Sequence, residues 1–275
     1  MAKDRTQYNL GGEKLMRRIA GILLGLGAML ALGAMTGGME TSLLAQSGGG
    51  ATKTAVSVEA PRDVELTTYP EDEFWRAAEP ILAERDTWGK TVPGFKTTIY
   101  SRWTKSNLYF LFVCPYEQLH LKENPTTTVE TNELWKWDVA EAFIGWNFQD
   151  INRYKEFEIS PQGEWIDLDI NHLHPLPEGG WKWNSGFRTA ARIDSAKKVW
   201  YGAMKIPLAA IDKRSAAAGT RFRINFYRSQ GPPGKLKKIA WQATMSDSFH
   251  VPSKFGVLQL VANIPISKGT NKQMR

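Results

Sequence analysis

The sequence predicts an all-β fold, a mostly antiparallel β-sandwich with short peripheral helices. Two observations carry this. Short runs of aromatic and β-branched residues recur along the chain, divided by Gly, Pro and Asn turns, which is the punctuation of a sandwich or a barrel. No apolar run of helical period is long enough to serve as the crossovers of a doubly wound parallel sheet.

The first 45 residues stand apart from this pattern. Lys14, Arg17 and Arg18 precede an apolar run from Ile19 to Met35, and the small Ala45 suits a cleavage point. This is the layout of a secretory signal peptide. The run is also near the shortest length that spans a bilayer, so a retained anchor is the rival reading. The expected location is therefore the periplasm or the extracellular space, with membrane attachment only if the segment is kept. No Cys lies near the cleavage point, which excludes a lipid-modified terminus. Residues 46–54 read as a glycine-rich flexible linker, residues 55–262 as one β-domain, and residues 263–275 as a polar tail.

Within the domain, Thr54 to Val64 reads as an edge strand. Asp72 to Ala78 reads as a short helix stopped near Pro80, with Phe74 and Trp75 packed on the body. Strands are expected at 96–100 and 108–114, joined by a polar hairpin turn at 104–107. The polar stretch 116–134 is long for a compact domain and makes a candidate binding loop. Further strands are expected at 139–146, 154–160, 165–171, 187–193, 199–206, 221–227 and 255–260, with a turn at 161–163 and a short helix begun by Pro207.

Composition excludes several classes. The net charge is +7, but the basic residues are scattered. The one dense run, Lys235 to Lys238, reads as a solvated turn, so nucleic acid is not an expected partner. Cys114 is the only cysteine and sits in the apolar run YFLFVC; it forms no intrachain disulfide and reads as a buried, inert thiol. There is no G-x-S-x-G elbow, no H-E-x-x-H motif and no phosphate-binding glycine loop.

The chemistry concentrates between Leu134 and Trp183. Trp135 and Trp137 share a face if extended, and so do Trp181 and Trp183. Indole rings beside carboxylates suit a pyranose, which has apolar faces and a hydroxyl edge, and they suit an ordinary core equally. Glu156 and Glu158 share a strand face, and Glu141 on the neighbouring strand completes a carboxylate cluster if it lies opposite. Such a cluster bonds hydroxyls, or runs glycoside hydrolysis as an acid and base pair. Arg153, Asn225, Arg228 and His250 are candidate polar suppliers to a cleft. Period two puts Asp167, Asp169 and Asn171 on one face, where their oxygens suit calcium or simply water. His172 and His174 follow, too few for a zinc or copper set. Ser246 to Pro252 reads as a self-bonded loop that includes Asp247.

The order of these features resembles the family 9 carbohydrate-binding modules, and in particular the stand-alone exported proteins described as family 9-like. The resemblance rests on Phe74 and Trp75, LYFLFVC at 108–114, DVAEAFI at 138–144, RYKEFEISPQGEWIDLD at 153–169, WKWNSGF at 181–187, VWYGAMKIPLAAI at 199–211, FRINFYRSQ at 222–230 and FHVPSKFGVLQL at 249–260. It implies a β-sandwich that binds glucose- or xylose-type sugars through two clamping tryptophans, with structural calcium. Trp137 with Trp181 or Trp183 is the clamp it suggests here. A related fold holds haem, which would need axial ligands such as Met204, Met245 or His250; the absence of a C-x-x-C-H motif excludes covalent haem. An envelope structural or protein-interaction domain and a carboxylate-pair hydrolase complete the alternatives. No complete catalytic set can be named, so a binding protein is expected over an enzyme.

Overall fold

A computed structural model of the protein describes residues 52–174 and 181–263. The expected leader, most of the linker and the polar tail lie outside the described residues. Among those described, no helix is long and apolar enough to cross a membrane.

The described chain is almost entirely strand: β1 (Thr54–Glu59), β2 (Ile81–Ala83), β3 (Arg85–Asp86), β4 (Thr97–Trp103), β5 (Asn107–Pro115), β6 (Val139–Gly145), β7 (Arg153–Ile159), β8 (Trp165–Asn171), β9 (Arg188–Asp194), β10 (Val199–Pro207), β11 (Arg221–Gln230), β12 (Lys237–Ala240) and β13 (Gly256–Val261). Helix is limited to α1 (Leu208–Ile211) and to short 3-10 turns, one of them at Glu73–Trp75, where a longer helix was expected. The short Ile81–Ala83, Arg85–Asp86 and Lys237–Ala240 strands were not anticipated. Two to four residues carry no readable alternation.

The sandwich expectation is corrected. All thirteen strands belong to one sheet, whose main path is β8-β7-β6-β11-β13-β1-β4-β5-β10-β9. It rolls into a nearly closed barrel. Its end strands approach without pairing: the Thr189 hydroxyl donates to the Gly163 carbonyl at 3.3 Å, and the Trp165 and Phe187 rings meet edge to face at 5.5 Å.

Strand β1 makes the difference. Expected at an edge, it instead runs parallel to β13 from Thr54 to Val58 and parallel to β4 at Val58 and Glu59. Two sheets that would otherwise face each other thus become one. Arg102 crosses this seam, and its guanidinium donates to the carbonyls of Val58 and Glu59, each at 2.9 Å, and of Phe74. Trp103 spans the same seam, its Nε1–H bonding the Val261 carbonyl at 2.9 Å.

Alternation fills the barrel. Ala140, Ala142 and Ile144 of β6, Phe157 and Ile159 of β7, Phe110 and Phe112 of β5 and Ile224 and Phe226 of β11 all enter one interior core. Gly202 lets β10 approach β7: a Cβ there would stand 2.9 Å from the Trp200 ring and 3.0 Å from a methyl of Ile159. Cys114 is fully buried in the core, which pushes its thiol up to about 12 and keeps it inert. Two further clusters lie outside the barrel wall. One joins Trp75, Tyr109, Leu111 and Tyr201, so Phe74 and Trp75 do pack on the body. The other covers β6, β7, β8 and β11 with Phe143, Tyr154, Ile166, Leu168, Ile170 and Tyr227.

Closure of the barrel is testable at two points. Arg102→Ala removes the charged donor from three carbonyls and is expected to cost ~2–4 kcal/mol in denaturant unfolding. Gly202→Val forces extra bulk against Trp200 and Ile159 and is expected to cost ~1–3 kcal/mol in the same measurement.

Candidate functional site

The outer cluster on β6, β7 and β11 carries the densest chemistry. In the β6–β7 ladder Glu141 stands opposite Glu158, and Glu156 lies two residues away on the same face of β7. The same alternation that sends Ala140, Ala142 and Phe157 inward turns these three carboxylates outward. They do not reach water, because loops cover this face: Glu141 is 2%, Glu156 3% and Glu158 0% exposed. One carboxylate oxygen from each lies within 4.8 Å of the others.

Their electrostatics follow from that packing. Burial pushes the carboxyls of Glu141 and Glu158 well above the usual range, and neighbouring carboxylates push further; Lys238 and the Ser229 hydroxyl ease Glu141 only in part. Lys238 lies on β12 opposite Ser229. The solvated turn expected for this run is thus partly a strand. Four oxygens of the trio have no hydrogen-bond partner: Oε1 of Glu141, Oε2 of Glu156 and both of Glu158.

Around the carboxylates stand rings. The 3-10 turn Leu134–Lys136 seals the cluster with the buried Leu134, and half-buried Trp135 packs on it; Trp181 joins from the other side of the sequence. His250 shares a 2.7 Å hydrogen bond through Nδ1 with the Tyr154 hydroxyl, and its Nε2 lies 3.9 Å from Oε2 of Glu156. His172 stacks on His250 at 6.3 Å, and burial, with some help from His250, pushes the His172 imidazole down. The Tyr227 hydroxyl donates to the Phe249 carbonyl at 2.9 Å.

The structure separates the tryptophan pairs. Trp135 lies in the 3-10 turn and Trp137 ends it, so the two are not extended and do not share a strand face. Trp181 packs on the outer cluster, whereas Trp183 packs on the barrel core and holds the Lys155 ammonium 4.1 Å from its ring centroid.

Other candidates are braces. Arg228 points into the barrel, fully buried, and donates to the Pro115 carbonyl at 2.6 Å, to Thr97 and to Gln230. Asn225 is equally buried and bonds the Tyr227 hydroxyl and the Gln242 carbonyl. Arg153 is exposed at the start of β7, 3.9 Å from Asp150. Asp247, read from the sequence as part of a self-bonded loop, accepts instead from the distant Trp88 indole at 3.1 Å.

The calcium set does not assemble. Asp167 is fully buried and accepts from the Ser185 amide at 2.9 Å and from its hydroxyl. Asp169 pairs with Lys155 at 2.7 Å, and Asn171 is half-buried at the end of β8. Two of the three donors thus have separate partners, and no step is routed through a metal there. Beside them, burial and the Asp167 charge push the Glu130 carboxyl up to about 7. The haem ligands are also dispersed: Met204 is inside the core, Met245 is exposed on a loop, and His250 is held by Tyr154.

Sequence reasoning missed Tyr154 and Ser229, weighed His172 only as a metal ligand and read Lys238 as part of a solvated turn. Each alternates onto the carboxylate face or packs at its edge, a fact readable only once the ladder register is known.

Residues 69–263 match the family described as carbohydrate family 9 binding domain-like. The chain belongs to this family. An extracellular protein from Arthroderma benhamiae is 25% identical over 183 residues, covering 60% of this chain and 81% of its own. Endo-1,4-beta-xylanase A from Thermotoga neapolitana is 20% identical over 190 residues, which span 69% of this chain but 16% of the xylanase. A family 9 carbohydrate binding module from Caldicellulosiruptor kristjanssonii, solved with cellotriose, has a TM-score of 0.55 at 13% identity, over 78% of this chain and 97% of that one. Carbohydrate binding is the function of the family, and its members are binding modules rather than catalytic domains.

The raised carboxyls make stability depend on pH. The unfolded Glu158 carboxyl titrates near 4.5 and the folded one well above it. The folded state therefore holds more protons across that window, and stability falls as pH rises through it. Glu158→Gln does not titrate. In chelator-treated buffer it is expected to flatten this decline and to gain ~1–2 kcal/mol near neutral pH, read by denaturant unfolding at a series of pH values.

Proposed function

We propose that this domain binds a glucose- or xylose-type sugar, free or as an oligosaccharide, on the outer face of β6, β7 and β11. Trp135 and Trp181, partly buried at the edge of the cluster, stack on the ring, and His250 bonds its hydroxyls; Glu141, Glu156 and Glu158 lie beneath, covered by loops. Arg153 lies at the exposed rim. The observation that carries this reading is that Trp135 and Trp181, far apart in the chain, pack as partly exposed rings on one outer apolar cluster. The cellotriose complex and the xylanase relative support the choice of sugar class.

Hydrolysis is not favoured by the same geometry. All three carboxylates are covered, 0–3% exposed, which leaves no access for a glycosidic bond or an attacking water beside them. The basic cluster and apolar run of residues 14–35, which read as a leader, and the extracellular relative support export, so the sugar is met outside the cytoplasm.

Tryptophan fluorescence titrated with xylose, glucose, cellobiose and xylo-oligosaccharides tests the site. A saturable shift is expected with at least one of them. Trp135→Ala and Trp181→Ala are expected to weaken binding at least about tenfold, or ~1.4 kcal/mol each. Trp183→Ala, on the core side, is expected to change affinity much less. A folded protein that responds to none of these sugars would overturn the assignment.

A further inference from the structure

We propose that Trp88 and Asp247 form a second sugar subsite beside the outer face, and that the ligand is accordingly an oligosaccharide long enough to reach both. This rests on the sugar-binding reading of that face and adds the length of its ligand. Trp88 lies in the turn after β3 and is 49% exposed. A single exposed apolar side chain is ordinary and carries nothing alone. What sets Trp88 apart is how it is held. Oδ1 of Asp86 accepts from the Trp88 amide at 2.9 Å and from the Lys90 amide at 2.8 Å, and Gly89 takes the left-handed φ of +87° that this turn requires. The indole Nε1–H donates to Oδ1 of Asp247 at 3.1 Å, and the Met245 amide donates to the Thr87 carbonyl at 2.7 Å. Backbone and ring edge are thus both fixed while the indole remains half exposed. A ligand ring that stacks there meets a surface already ordered, so less conformational entropy is lost on binding.

The bond to Asp247 also sets Trp88 against the outer cluster. Asp247 belongs to the loop that carries Phe249 and His250. The Phe249 ring stacks on Tyr227 at 4.2 Å within that cluster, and the Lys238 ammonium lies 5.6 Å from the Phe249 ring centroid while donating to the Asp247 carbonyl. Strand order agrees: β6, β11, β12 and β3 are successive neighbours, and Ala240 of β12, a member of the cluster, stands opposite Arg85 of β3. Three strand spacings, ~14 Å, separate β6 from β3. A pyranose on Trp135, just before β6, and one on Trp88 are therefore different units of one chain. The Asp247 carboxylate is exposed and, among the described residues, is engaged through Oδ1 alone, which leaves its other oxygen for a sugar hydroxyl. Joining two subsites through one ligand makes the second contact intramolecular and raises affinity without altering the first.

The test is calorimetric titration of the whole protein with glucose, xylose, cellotetraose and xylotetraose, so that no reading depends on tryptophan emission. The wild type is expected to bind at least one tetrasaccharide about tenfold tighter than the matching monosaccharide. Trp88→Ala should weaken that tetrasaccharide at least about fivefold and leave the monosaccharide within about twofold, with melting unchanged. Trp88→Phe keeps a stacking ring and should restore much of the tetrasaccharide affinity. Equal affinity for monosaccharide and tetrasaccharide in the wild type would overturn the subsite and leave the sugar reading standing. So would a tetrasaccharide affinity that Trp88→Ala does not change, or a monosaccharide affinity that falls as far. No heat with any of the four sugars would remove the sugar reading and the subsite together.

Discussion

The parallel pairing of β1 with both β13 and β4 is the constraint on which the rest of the structure depends. Without it, β8-β7-β6-β11-β13 and β4-β5-β10-β9 would be two sheets free to set their own separation. With it they are one curved surface whose inward side chains meet in a single core. The contact between β1 and β4 involves only Val58 and Glu59, opposite Arg102 and Trp103. So short a ladder is weak alone, and the side chains of the same two β4 residues reinforce it. Arg102 satisfies carbonyls on β1 and on the 3-10 turn, and Trp103 reaches across to β13.

A closed interior has a consequence for the outer wall. Strands alternate, so every inward apolar residue is matched by an outward one, and on β6, β7 and β11 the outward set mixes rings with carboxylates. Loops then bury this face as well. The result is a second environment of low polarity, outside the barrel, in which Glu141, Glu156 and Glu158 sit among Phe143, Tyr154 and Tyr227. Compare Asp138, also buried yet with both oxygens engaged by amide partners, and Arg228, which donates to Pro115, Thr97 and Gln230 and leaves only its Nε unpartnered. The fold braces those two as structure. The outer cluster instead presents Trp135 and Trp181 at its accessible edge above the covered glutamates, which is the physical basis for placing function on this face.

Much of this was legible in the residues. Strands such as Trp165–Asn171 announce themselves by alternation, and 104–107 by its polar turn between apolar runs. The carboxylate trio was legible because Glu156 and Glu158 differ by two and Glu141 lies on the adjacent strand. The tryptophans were less so: Trp135 and Trp137 differ by two as well, but the 3-10 turn breaks the period, and no local signal marks it. Arg228 and Asn225 looked like suppliers to a cleft because a polar residue in a strand carries no label for which partner it meets. Arg228 turns inward to Pro115 and Asn225 to Tyr227, contacts separated by up to 113 residues or as few as 2.

By itself, then, the sequence determined an all-β chain, the position of most strands, the family resemblance and the pairing of chemistry with the Leu134–Trp183 stretch, since these rest on local alternation and turn residues. Only the tertiary structure decided barrel over sandwich, which tryptophans share a surface with the glutamates, and which polar residues are braces. Those depend on the register between strands far apart in the chain and on which face a loop covers. A sandwich and a barrel place the same alternation along each strand; they differ in one parallel pairing at β1, and nothing local to Thr54–Glu59 records its two partners.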